Sequence, residues 1–185
     1  MTVPAHPDPF VAFTALGDAT GFVDRILEVI EHIRLFEDFE REEIDTLTHY
    51  FRCYRAAAGA EIIREGEAGD FMLLLIEGGV EIVKLDPRGL PQRMGVAGPG
   101  KTLGEMSLID GEPRFASCVT LEPTLFAVLD RTALIRVVSE EPRVGVKLLM
   151  ELLMLLNQRL RSVSGELMNC LESKTQTCRS ILAEG

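Results

Sequence analysis

The chain has 185 residues, 46% of them hydrophobic, which suffices for one ordinary domain with helical additions but is cramped for two. Nineteen Lys and Arg stand against 29 Asp and Glu, a formal net charge of -10, the wrong sign for general contact with a nucleic-acid backbone. Cys53, Cys118, Cys170 and Cys178 form no C-x-x-C pair, no signal-peptide pattern is present and no apolar run is long enough to span a bilayer, so composition points to a soluble, cytoplasmic protein.

Residues 1–21 carry Pro4, Pro7, Pro9 and Gly17 without a sustained period, which predicts a flexible arm. Phe22, Ile26, Val29, Ile30, Ile33 and Phe36 then recur at helical spacing, and Ile44 and Leu47 continue the pattern in a second stretch from Glu40 to Tyr50, giving helices over 22–50. From 51 to 129 the pattern changes to short apolar runs punctuated by glycine. Strands are expected at 51–56, 60–65, 71–77, 79–85, 92–97, 114–121 and 123–129. Many short strands joined by turns predict a mainly β fold, a jelly-roll barrel (double-stranded β-helix) flanked by helices. Helical periodicity resumes at Asp130, breaks at Glu141-Pro142 and continues from Arg143 to about Glu172, leaving a tail at 173–185.

In the long C-terminal helix Val146, Leu149, Leu153, Leu156, Leu160, Val163 and Leu167 step by three and four as a heptad seam, and Leu148, Leu152 and Leu155 widen the stripe on a neighbouring face. A helix buried against its own barrel would use the same residue types. Leaving the whole stripe on a monomer would expose a large apolar patch, so a parallel homodimer through this helix is expected.

The stretch from Gly104 to Arg114, GEMSLIDGEPR, carries the chemistry. Gly104 allows close backbone approach, and the free N–H groups opening the turn at Glu105 favour an anion. Arg114, brought back by the turn from Asp110 to Pro113, supplies a planar pair of donors suited to phosphate. Glu105 would repel a phosphate unless it accepts a hydrogen bond from something else, such as a sugar hydroxyl; a cyclic ribose phosphate satisfies both residues. Taken singly, Glu105 reads more readily as an acid in a helical first turn and Arg114 as a surface charge beside Glu112; it is their spacing in one block that favours a ligand.

A jelly roll also houses metal enzymes, but His6, His32 and His49 all precede the first expected strand, so no metal centre or cofactor is expected. Ser107, Ser117 and the cysteines have no histidine partner in the barrel region and no serine elbow is present, so no catalytic residues are assigned.

The 104–114 block, with the glycines of GAEII at 59–63, EGEAGD at 65–70, IEGGV at 76–80 and PGKTLGE at 99–105, resembles the cyclic nucleotide-binding domains of catabolite activator proteins, kinase regulatory subunits and nucleotide-gated channels. The resemblance covers roughly Ile33 to Leu167, within a domain taken as 22–172. It implies that Glu105 holds the ribose 2′-hydroxyl, that Arg114 holds the cyclic phosphate, and that backbone N–H groups around Gly104, Met106, Ser107, Phe115 and Ala116 complete the cradle. Relatives usually have a small or hydroxylated residue where this chain has Phe115; its N–H still reaches the phosphate if the ring points elsewhere. The absent Ser or Thr favours cyclic AMP over cyclic GMP. The resemblance also places a polar contact to the base near Ser164, beside Arg161, Ser162 and Val163.

A regulatory sensor with no enzymatic activity follows, acting on an unspecified effector protein through movement of the long helix. Residues Ser173 to Gly185 are too few for a helix-turn-helix, so no DNA reader is expected. The alternative is a degenerate, ligand-free dimeric scaffold, for which Phe115 is the main argument.

Overall fold

Strands form where apolar residues alternate or run together between glycine turns. In the computed structural model, which describes residues 10–30 and 39–183, they are β1 (Thr14–Asp18), β2 (Arg52–Ala56), β3 (Glu61–Ile63), β4 (Phe71–Glu77), β5 (Val80–Leu85), β6 (Pro91–Ala97), β7 (Thr102–Leu103), β8 (Ser117–Thr120) and β9 (Thr124–Asp130). The helices are α1 (Val23–Ile30), α2 (Arg41–Thr48), α3 (Glu105–Asp110), α4 (Arg131–Glu140) and α5 (Pro142–Ala183), with a 3-10 turn at Ala19–Phe22. Two antiparallel sheets result, ordered β1-β2-β9-β4-β7 and β3-β8-β5-β6. This is the expected jelly-roll arrangement of a mainly β fold with flanking helices.

The core lies between the sheets. Phe71, Leu73 and Leu75 of β4 join Phe126 and Val128 of β9, with Ile62, Ile63, Val80, Ala97 and Leu103 from neighbouring strands. Each fully buried side chain of this size contributes roughly 1.5–3 kcal/mol. Met72, Leu74 and Ile76, on the other face of β4, are buried as well. Helices α1 and α3 contact β4, and α4 contacts β9. That is why β4 reads as a continuous apolar run rather than an alternating one.

Of the residues 1–21 that composition suggests as a flexible arm, the described ones, from Phe10 on, are anchored by one aromatic. Phe10 is buried, stacks on Tyr54 at 4.7 Å between ring centroids and meets Phe71 edge-on at 4.7 Å. The chain then pairs with β2 as β1, whose side chains are all exposed, so no apolar alternation announces the strand. Residues 1–9 and 31–38, with His6, His32, Ile33 and Phe36, lie outside the described residues. The two-residue β7 falls below any periodic signal, and β8 begins at Ser117 because Arg114 and Phe115 belong to the connection before it.

The chain divides after Lys147 into two compact units. Pro142 opens α5, a position where its missing N–H would have no partner in any case. The helix continues past Glu172 to Ala183, so the expected tail is helical through that residue. In the second unit Leu148, Glu151 and Leu152 are buried, whereas Leu149, Leu153, Leu160, Val163 and Leu167 of the seam are exposed. Among the described residues no helix is long and apolar enough to cross a membrane, and no group of three His, Cys, Asp or Glu side chains could hold a metal ion.

Candidate ligand-binding site

Arg114 is fixed by its backbone first. Its N–H donates to the Glu67 carbonyl at 2.9 Å and its own carbonyl accepts from the Gly66 N–H at 2.9 Å, which pins the residue to the turn after β3. The side chain runs inward and is only 4% exposed. Nη1 donates to the carbonyls of Phe71 (2.8 Å) and Gly104 (2.9 Å), and Cζ lies 4.0 Å from the centroid of the Phe71 ring. Nη2 is buried and has no hydrogen-bond partner among the described residues. Burial pushes the guanidinium pKa down, while the negative charges of Asp70 and Glu105 act in the opposite sense. The group nevertheless stays protonated, since arginine does not lose its proton in proteins.

Two glycines make room for this side chain. Gly104 sits at φ 79°, in the left-handed region, and a Cβ there would come within 2.5 Å of Arg114 Nη1 and 3.1 Å of the Phe71 carbonyl oxygen. The space beside Gly104 is therefore taken by the protein's own arginine, which is the physical reason for glycine at this position. At Gly69 a Cβ would lie 2.0 Å from Arg114 Nε and 2.3 Å from its Cζ. Gly69 thus belongs to the site as firmly as Gly104.

Glu105 opens α3 and is 1% exposed, with its carboxylate beside the free N–H end of the helix. Ser107 and Leu108 are buried on the same side of this short helix, and Met106 and Ile109 face solvent. The far end of α3 is held by Arg131, which donates from Nη2 to the Ser107 carbonyl at 2.9 Å and from Nε to the Leu108 carbonyl at 3.0 Å. The Gly104 carbonyl accepts from Leu108 N–H as well as from Arg114, so one oxygen links the helix start to the guanidinium.

Phe115 turns away from this interior. Its ring is 54% exposed, with Lys84 Nζ 4.1 Å from the centroid, and Lys84 also donates to the Phe115 carbonyl at 2.7 Å. Lys84 pairs with Glu65 at 2.8 Å, and Glu65 accepts from Leu85 N–H and donates its own N–H to Ser117 Oγ. Lys84 and then the Leu85 N–H hold the Glu65 carboxyl below its usual range. The connection carrying Phe115 and the half-buried Ala116 is thereby tied down on both sides. Ser164 lies in the second unit, where its hydroxyl donates to the Leu160 carbonyl at 2.8 Å, a bond within its own helix.

The geometry thus joins Gly104, Glu105 and Arg114 and adds Gly69, Phe71 and Arg131, which sequence reasoning did not single out. Gly69 was visible as part of a glycine-acid pair before a strand, but nothing local links it to Arg114. A separate cleft of about 340 Å³ is lined by Asp18, His49, Tyr50, Arg52, Asp130 and Arg136 among others. Several of its polar groups are already committed: Tyr50 and Arg136 to Glu140, Asp18 to Thr20, and Asp130 to the Ala133 N–H. It shares no residue with the cradle.

Comparison with known proteins identifies the family. The family model described as the cyclic nucleotide-binding domain matches residues 54–141. A crystal structure of a cyclic nucleotide-binding domain from Methylobacillus flagellatus is 39% identical, covers 85% of this chain and 92% of its own, and superposes with a TM-score of 0.77. The Thermus thermophilus catabolite activator protein is 31% identical over 72% of this chain and 61% of that one, with a TM-score of 0.67. The CRP-like cAMP-activated global transcriptional regulator of Mycobacterium tuberculosis is 29% identical over 140 residues, which span 76% of this chain and 61% of the regulator. The chain thus spans about six tenths of the length of curated relatives such as this regulator and the Thermus thermophilus cyclic AMP receptor protein. The like-sized relative at 39% identity shows that the chain belongs to the cyclic nucleotide-binding domain family.

Proposed function

We propose that this chain is a non-enzymatic cytoplasmic sensor that binds a cyclic nucleotide, cyclic AMP in preference to cyclic GMP, in the cradle formed by Gly104, Glu105 and Arg114. The observation that carries the reading is the buried Nη2 of Arg114, a charged donor without a partner among the described residues, beside an Nη1 held by two carbonyls. A singly charged cyclic phosphate is the anion that such a donor and the N–H end of α3 suit. Glu105 then accepts from the ribose 2′-hydroxyl. The preference for cyclic AMP rests on the lack of a Ser or Thr after Arg114 and on relatives described as cAMP-activated and as a cyclic AMP receptor protein. The solvent-facing ring of Phe115 supports this reading over a ligand-free scaffold, because its bulk is directed away from the guanidinium.

On this reading α5 is the output element, and nucleotide shifts its position by binding one arrangement more tightly than another. Its exposed seam pairs with a second copy of the chain, and the moved helix alters a surface seen by an effector protein. Calorimetry with cyclic AMP, cyclic GMP and cyclic dinucleotides tests the binding. Wild type is expected to bind cyclic AMP most tightly, and Arg114→Ala to lose about 3 kcal/mol, more than a hundredfold in Kd. A folded Arg114→Ala protein of undiminished affinity refutes the cradle. Hydrogen exchange over 142–172 on the same samples, unchanged by nucleotide, refutes the role given to the helix.

A further inference from the structure

We infer that Phe71 is a positioning residue for Arg114, its ring fixing the guanidinium so that Nη2 points to the anion. The inference rests on the cradle reading and deepens it. Two carbonyls, those of Phe71 and Gly104, hold Nη1, and both act on one nitrogen. Bonds to a single nitrogen leave the plane of the group free to tip about that point. The Phe71 ring, 4.0 Å from Cζ, supplies the surface that stops the tipping. Its electron-rich face also favours a positive charge in a place where burial disfavours one.

The ring is itself immobilised. Phe71 is 6% exposed, opens β4 opposite Asp130 of β9, and meets the ring of Phe10 edge-on at 4.7 Å and 65°. Gly69, two residues earlier, leaves the space that the guanidinium fills. One short stretch of backbone therefore supplies the room, an acceptor and the aromatic surface for a side chain contributed from another part of the chain. Leucine at 71 would keep the carbonyl and much of the apolar volume, and would lose the aromatic face together with the edge contact to Phe10.

The test replaces Phe71 in the full chain with mono-, di- and trifluorophenylalanine, which drain the ring face progressively at nearly constant shape. Cyclic AMP binding is measured by calorimetry, and thermal melting checks that each protein is folded. Affinity is expected to fall with each fluorine and to be about tenfold or more weaker for the trifluoro protein, with Phe71→Leu moving the same way. A role in packing alone gives a flat series. A flat series with a wild type that binds overturns the inference and leaves the cradle standing. A wild type that binds none of cyclic AMP, cyclic GMP or cyclic dinucleotides overturns the cradle reading first, and the role of Phe71 with it.

Discussion

Gly69→Ala tests the packing that holds Arg114 in the cradle. The added methyl would lie 2.0 Å from Arg114 Nε, 2.3 Å from Cζ and 2.5 Å from Nη2, whereas unstrained contacts need about 3.5 Å. The guanidinium must therefore move by about 1.5 Å. Shifts of that size carry the Nη1 bonds, 2.8 and 2.9 Å long, beyond the range in which such bonds count. No left-handed strain is involved at Gly69, and the obstructing atoms are the end of a flexible side chain, so the backbone has no need to move.

Each charge-assisted bond lost is worth about 1.5–3 kcal/mol, but a guanidinium that swings toward water regains much of this by solvation. The expected result is a loss of about 1–3 kcal/mol in urea unfolding with an unchanged m-value, and at least a tenfold loss of affinity for cyclic AMP in calorimetry. Gly69→Ala protein that binds as tightly as a nucleotide-binding wild type would falsify the claim that Arg114 must occupy this position.

Two further outcomes follow from other parts of the molecule. If the seam of α5 pairs with a second copy in parallel register, wild type has a dimer mass in light scattering at micromolar concentration and Leu160→Lys a monomer mass, because a buried ammonium at a seam position has no counter-charge; Cys170, which continues the three-four spacing after Leu167, then cross-links to its counterpart under mild oxidation. A monomeric wild type refutes the pairing. Glu43 accepts from the Glu40 N–H and from Lys147, and the Lys147 ammonium is the first cause that holds its carboxyl below the usual value. A lowered folded pKa adds stability that is present above the ordinary carboxylate value of 4.5 and is lost as pH falls through the folded value. Lys147→Met is therefore expected to cost under about 1 kcal/mol at neutral pH, the penalty shrinking in acid; a penalty independent of pH contradicts the coupling.

Legibility in the sequence followed burial. The apolar runs 71–77 and 123–129 announced β4 and β9 because their strands are covered on both faces. β1 was illegible for the opposite reason: its five side chains are exposed and its position is set by Phe10 outside it. The seam of α5 ends near Leu171, where the polar run ESKTQT begins, and the backbone stays helical beyond it because helix geometry does not require an apolar stripe. In the cradle, Gly104, Glu105 and Arg114 stand close together in one motif and could be read as a unit. Gly69 and Phe71 could not, since their relation to Arg114 exists only after β4 and the connection into β8 have been brought side by side.

Charge burial makes sense of this arrangement. Arginine and glutamate are rarely fully buried, and here Arg114 and Glu105 are 4% and 1% exposed. Taking such groups out of water costs several kcal/mol each, and apolar residues of similar size in their place are often neutral or stabilising. A core that contains Leu73, Leu75 and Phe126 has little need of them for cohesion. The two Nη1 bonds and the Phe71 ring offset part of the cost and leave Nη2 outstanding. On the proposed reading, nucleotide binding supplies the missing interaction to a donor that is already dehydrated and held in place. The desolvation of Nη2 is then a cost borne on folding rather than on binding. On that reading affinity comes at the expense of intrinsic stability, and the exposed Phe115 ring has little bearing on it, because Gly69, Phe71 and Gly104 fix the guanidinium independently of the residue that follows it.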